Sequence, residues 1–174
     1  MRAVIVRAML LWVPIAVASL AAQAVYAQDL RAPSLGGSVS AFETVLGGPN
    51  DASIGPLLHF QRCAGTDVDQ FVVMAPNDQV WTIQHAWCEL QTRPALDRFE
   101  DAANYLPTDA VPGDPVTSSL GEPGQTFVSA TLAAALPAGL FHDCSGNAVA
   151  PGTLFVVADI DGGWYMGPGT CPQQ

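Results

Sequence analysis

Apolar and polar positions along the chain follow two periods, and the places where one gives way to the other divide it into elements. Leu57–Arg62 (LLHFQR), residues 70–75 (QFVVMA) and residues 79–87 (QVWTIQHAW) are rich in β-branched and aromatic side chains, and Pro76-Asn77-Asp78 supplies turn chemistry between the last two. These runs predict an antiparallel meander. Residues 153–158 (TLFVVA), an acidic turn at 159–163 (DIDGG) and a strand from Trp164 to Gly167 predict a second hairpin. Helical spacing marks the segments between. Ser40-x-x-Glu43 has the form of a capping box, and Gly47-Gly48-Pro49 stops the run, which predicts a short helix over 41–46. Leu96, Phe99, Ala103 and Leu106 recur on one face opposite Asp97, Glu100, Asp101 and Asn104, so a second helix is expected from Pro94 to Leu106. Residues 129–136 (SATLAAAL), closed by Pro137, predict a third.

Residues 107–125 (PTDAVPGDPVTSSLGEPGQ) show neither period and are rich in Pro, Gly, Ser and Asp, which predicts a long surface connection between halves at about 28–106 and 126–174. The order helix, strands, helix, connection, helix, strands predicts an α+β fold: an antiparallel sheet of disulfide-closed hairpins with two or three short helices on one face. The two hairpins share Cys-x-Gly (Cys63 to Gly65; Cys144 to Gly146), Phe-Val-Val (Phe71 to Val73; Phe155 to Val157), an acidic turn, a Trp (Trp81; Trp164) and a closing Cys. An internal duplication or convergence of two short hairpins explains this equally well.

The N-terminus departs from this pattern. Two arginines in Met1 to Arg7 precede an uncharged run over 8–22, and Val25-Tyr26-Ala27 places small residues before a break at Gln28-Asp29. This is the form of a secretory signal peptide cleaved after Ala27, and the run is too short, with Pro14 inside it, for the about 20 apolar residues of a membrane span. The expected product is a single exported domain over 28–174, secreted or periplasmic and free of the membrane after cleavage. Cys63, Cys88, Cys144 and Cys171 then fall in an oxidising compartment, and the meander geometry pairs Cys63 with Cys88 and Cys144 with Cys171.

Composition narrows the chemistry further. Sixteen carboxylates stand against six basic residues, all arginine, for a net charge of -10 and a pI near 4.3. With no basic cluster to displace counterions from phosphates, nucleic acid is excluded as a partner class, as are anionic membrane surfaces. Hydrophobic residues make up 49%, enough for a packed core. Gly-x-Ser-x-Gly, His-Glu-x-x-His, Cys-x-x-Cys and the phosphate and dinucleotide glycine loops are all missing, so no cofactor is expected. His59, His85 and His142 each lie within four residues of a cysteine, a set of ligand types that suits zinc, but export converts those thiols to disulfides. Asp159-Ile160-Asp161-Gly162-Gly163 has the alternate carboxylates of a calcium loop without its remaining ligands, and reads as a solvated turn. Trp81, Ile83, His85 and Trp87 share one face of a strand by alternation; with Trp164 they form either a binding face of Trp81, His85, Trp87 and Trp164, or the core side of the sheet.

The stretch from Gly37 to Pro49 (GSVSAFETVLGGP), a capped helix ending in glycine and proline and followed by strands, resembles the repeat unit of β-lactamase-inhibitor-like proteins and of small outer-membrane assembly lipoproteins, although the lipobox Cys of the latter is missing. The resemblance implies protein binding without catalysis. The leading expectation is therefore a non-enzymatic binding module for an extracellular protein or other ligand. The alternative is an extracytoplasmic hydrolase whose triad, built on His59, His85 or His142, is recognisable only by geometry.

Overall fold

The computed structural model describes residues 33–88, 95–158 and 162–172; the expected signal peptide over 1–27, the expected helix start at Pro94 and most of the expected acidic turn, Asp159-Ile160-Asp161, lie outside these. Seven strands form one antiparallel sheet: β1 (Leu57–Arg62), β2 (Asp69–Met74), β3 (Thr82–His85), β4 (Val111–Thr117), β5 (Pro123–Val128), β6 (Thr153–Ala158) and β7 (Trp164–Pro168). Their spatial order is β1-β2-β3-β7-β6-β5-β4. Helices α1 (Val39–Leu46), α2 (Ala95–Ala103) and α3 (Ala130–Ala135) complete an α+β fold. Among the described residues no helix is long and apolar enough to cross a membrane.

The pairing of β3 with β7, with Ile83 opposite Met166 and His85 opposite Trp164, makes one sheet of the two halves. Alternation then gives that sheet a continuous apolar face: Phe60, Phe71, Val73, Ile83, Met166, Trp164, Val156 and Leu154 are all buried in a single core. The helices supply Val39 and Phe42 from α1, Ala102 from α2 and Leu132 from α3, joined by Leu35 and Leu136. All three helices therefore lie over the same face. Phe42 packs 6.3 Å from Phe60 and 6.2 Å from Tyr105, ring centre to ring centre, and locks α1 between the sheet and the end of α2.

Both predicted disulfides are formed, Cys63 with Cys88 at a Cα separation of 5.2 Å and Cys144 with Cys171 at 4.7 Å. They are consistent with an extracytoplasmic protein. The first ties the end of β1 to Cys88, three residues beyond β3; the second anchors the segment before β6 to the chain that follows β7, beside the bond from the Thr170 N–H to the His142 carbonyl.

Several local expectations need correction. The helix at α1 begins two residues early, and its N-cap is Ser38, whose side chain makes no capping bond; Ser40 lies in the first turn, where its hydroxyl meets that of Ser38. The capping box is thus not formed, although Gly47 at φ 85° ends the helix as expected. The strand expected over 79–87 shrinks to Thr82–His85, because Val80 exchanges backbone bonds with Gly36 and Gly37 instead of with the sheet. The helix expected to reach Leu106 ends at Ala103 in tight turns through Leu106. The largest difference is in 107–125, which contains β4 and the start of β5. Pro112 and Pro115 argue against a strand, but β4 is the outermost strand and has no neighbour to receive the missing donors. Finally, Phe71 and Val73 face the helices whereas Phe155 and Val157 face the other way: Val156, opposite Met166, is the core residue of β6. The two Phe-Val-Val runs match in sequence and not in facing.

Loop closure by a bridge spanning 25 residues is worth about 3.5 kcal/mol in the chain-entropy model. Cys63→Ser is expected to leave one titratable thiol, at Cys88, to keep the Cys144–Cys171 bridge, and to lower the unfolding free energy by roughly that amount, read by thiol counting and urea denaturation.

Candidate binding face

A sheet can meet a partner through an edge or through a face, and this one has closed both edges. On β1 the outward-facing groups are taken by the preceding loop. The Asn50 N–H donates to the His59 carbonyl at 2.7 Å, the His59 N–H donates to Ser53 Oγ at 2.9 Å, and Ile54 and Leu57 exchange backbone bonds. Asn50 also donates its amide to Asp69 Oδ1 at 2.6 Å, which fixes the loop to β2 across β1. The second oxygen of Asp69 takes His59 Nδ1 at 2.8 Å, and Arg62 lies 3.5 Å from the first and 3.2 Å from Asp51. On the opposite edge, β4 carries two prolines and a register shift between Pro112 and Pro115. Both devices block strand addition.

Asp69 is the centre of the β1 seal. Burial pushes its carboxyl up, but hydrogen bonds from His59 and Asn50 and the charges of His59 and Arg62 outweigh that and hold it below the usual carboxylate range. Asp109 plays the matching part at α3. Burial again opposes ionisation, and the Ser129 hydroxyl and the Thr131 N–H, donating at 2.9 Å, prevail and keep it low. Ser129 in turn caps the helix by accepting the Leu132 N–H.

The second histidine–carboxylate pair lies inside the covered face. Asp101 of α2 accepts the Trp164 indole N–H at 2.6 Å, and His85 Nδ1 approaches the same oxygen at 3.1 Å without the alignment of a hydrogen bond. His85 stacks on Phe71 at 4.5 Å and meets Trp87 edge-on at 4.5 Å, with Trp164 at 5.4 Å. Burial, helped by the Asp101 charge, pushes the Tyr105 hydroxyl beside them up to about 12. His85 and Trp164 are 5% and 0% exposed, and Trp81 packs against the same core with its indole N–H buried. The aromatic set of Trp81, His85, Trp87 and Trp164 therefore sits on the core side, where Trp164 and His85 meet Asp101 of α2. His142 is exposed, on a turn bridged to Ala148. Among the described residues no serine hydroxyl bonds any histidine ring, since Ser53 binds the backbone of His59. Both cysteine pairs are spent as disulfides, which removes sulfur from the zinc set.

What remains is the face away from the helices, and strand register assigns its side chains. One row runs Leu57, Met74, Thr82, Gly167, Phe155; the next runs His59, Val72, Gln84, Tyr165, Val157. At the far end the face is closed on itself: the Phe155 ring lies against Gly167, where a Cβ would come within 3.2 Å of it, and Phe155 and Val157 are wholly buried. Tyr165 packs on Phe155 at 5.4 Å, and burial raises its hydroxyl although a bond with Thr82 pulls the other way. Towards β1, the apolar side chains of Leu57, Val72 and Met74 stand half-buried beside His59 and exposed Gln84.

No family model, no curated protein and no solved structure matches the chain. The face is defined by its own geometry. Sequence patterns missed Asn50, Asp69, Asp101 and Asp109, whose hydrogen bonds include Asn50 to Asp69 across 19 residues, Asp109 to Thr131 across 22 and Asp101 to Trp164 across 63; Asn50-Asp51 after Pro49 was the one local signal, since Asn Oδ1 accepts the Ala52 N–H in an Asx turn.

Because Asp69 and Asp109 titrate lower in the folded chain than their unfolded value of about 3.9, the stability they add is present above that pH and lost as pH falls through the folded values. Asp69→Asn is expected to cost roughly 1–3 kcal/mol at pH 7 and to flatten the decline below pH 4, both measured by urea unfolding across pH.

Proposed function

We propose that this chain is an exported, non-catalytic binding module that receives a protein partner on the open half of its sheet, around Leu57, Val72, Met74 and Tyr165. The observation that carries the reading is the half-buried apolar set on β1, β2 and β7, left uncovered by the helices in a sheet whose edges are both sealed. Apolar side chains in adjacent register, with polar neighbours such as His59 and Gln84, have the make-up of an interface core and its surround. The leader peptide and the two disulfides favour work outside the cytoplasm. The resemblance of the Gly37–Pro49 segment to inhibitor-like and assembly-lipoprotein repeats points towards protein binding as well.

The hydrolase reading finds less support. The His59–Asp69 pair has the spacing of a catalytic dyad, but its carboxylate is shared with Asn50 and Arg62 in holding the edge loop, and the nearest serine contact is to backbone.

Met74→Asp places a charge at the centre of the face without touching the core. Purified wild-type protein incubated with the producing culture's medium and envelope extract is expected to retain a partner that Met74→Asp does not; identical retention by both would contradict the assignment of the face.

A further inference from the structure

The bulge in β4 brings together the parts of a self-cleaving peptide bond. Pro112 pairs with Phe127 and Pro115 with Gln125, so Gly113 and Asp114 together stand opposite one residue, Thr126. The Thr126 hydroxyl donates at 2.7 Å to the Asp114 carbonyl oxygen, which belongs to the Asp114–Pro115 bond. Thr126 is 8% exposed, whereas Gly113, Asp114 and Pro115 are open to solvent. The reach of that hydroxyl depends on glycine, since a Cβ at Gly113 would come within 2.8 Å of Thr126 Oγ1. The Gln125 side-chain amide donates to the Gly113 carbonyl and holds the preceding peptide unit. Among the described residues, Asp114 is the one titratable side chain on β4 (VPGDPVT), on its partner β5 (PGQTFV) and on β6 (TLFVVA), which β4 also touches.

An aspartyl–prolyl bond joins a nucleophile to a good leaving group. The side-chain carboxylate sits one five-membered ring closure from its own carbonyl carbon, which gives attack the advantage of an intramolecular reaction. The proline nitrogen has no N–H and, as a tertiary amide, takes a proton more readily than other peptide nitrogens. What an unfolded chain lacks is a fixed donor for the charge that develops on the carbonyl oxygen, and Thr126 holds one there. We infer that the Asp114–Pro115 bond is a self-processing site, opened in mild acid with Thr126 as the oxyanion donor. An Asp114 carboxylate oxygen forms a bond to the carbonyl carbon. The bond to the Pro115 nitrogen breaks, its electron pair stays on nitrogen, and the nitrogen takes a proton from the medium. Water then opens the cyclic anhydride to two carboxyl groups, so one water is consumed per cut.

The two pieces stay together without a covalent link. The Cys63–Cys88 bridge lies wholly before the cut and Cys144–Cys171 wholly after it, while the β3–β7 pairing and both halves of β4 on β5 join the product as a two-chain molecule. The site is at the opposite end of the sheet from β1 and β2 and does not depend on the docking face.

The oxidised protein, purified from the medium of cells expressing the full-length chain, is incubated at about pH 5, above the range in which Asp69 and Asp109 lose their stabilising charge. Samples are read by non-reducing electrophoresis and mass spectrometry. The expected products are two fragments, one ending at Asp114 and one beginning at Pro115, which separate without reductant once denatured. Folded wild type is expected to cut roughly tenfold faster than the same chain in urea, where the Thr126 bond is gone. Thr126→Val is expected to lose that advantage, Thr126→Ser to keep most of it, and Pro115→Ala to stop the cut. The urea comparison needs no variant, so it decides the matter even if Thr126→Val does not fold. A folded chain that cuts no faster than the unfolded one, a folded Thr126→Val that cuts like wild type, or cleavage at other bonds only would overturn the proposal.

Discussion

The rest of the structure depends on the antiparallel pairing of β3 with β7. Each strand is the last of its own group, and their register, with His85 opposite Trp164, turns two meanders into one seven-stranded sheet. The contact is close enough to dictate sequence: a Cβ at Gly163 would overlap the His85 carbonyl, so only glycine lets the β6–β7 turn pass there. From this register follows the facing of every other strand, because a shift by one residue would move Ile83 and Met166 out of the core and Gln84 into it. Asp101 then holds α2 over the seam through the Trp164 indole.

Once the seam is fixed, the molecule has few places left to meet another. Three helices cover one face, the 50–54 loop seals β1 through Asn50 and Ser53, and prolines guard β4. The polar cluster around Asp69 is therefore better understood as protection against unwanted strand pairing than as chemistry. The face proposed for partner binding is the remaining one, at whose far end Phe155 and Val157 are wholly buried.

Much of the fold was legible in the sequence because it rests on local signals: β1 and β6 read directly from their β-branched and aromatic runs, α3 from Ser129 and Pro137, and both bridges from the ends of the strands. What was illegible rests on distant partners. Pro112 and Pro115 hide β4, since the strand is tolerated only because it is outermost, a fact of topology and not of composition. Val80 looks like strand and is drawn off by Gly36 and Gly37 more than forty positions away. The alternation of Trp81, Ile83, His85 and Trp87 was visible, but whether it faced solvent or core depended on where α2 lands. The candidate face was unreadable for the same reason: Leu57, Val72 and Tyr165 become neighbours only when β1, β2, β3 and β7 pair.

The central claim is that the two halves form one cooperative sheet joined at β3 and β7, with a single face to spare. Residue-resolved amide hydrogen exchange tests it most directly, in the wild type and in Gly163→Ala. The account predicts that protected amides of β2, β3, β6 and β7 share one opening free energy and that Gly163→Ala lowers it for all of them together. Two separate opening energies divided at the β3–β7 seam, with only the C-terminal half responding to the substitution, would contradict it.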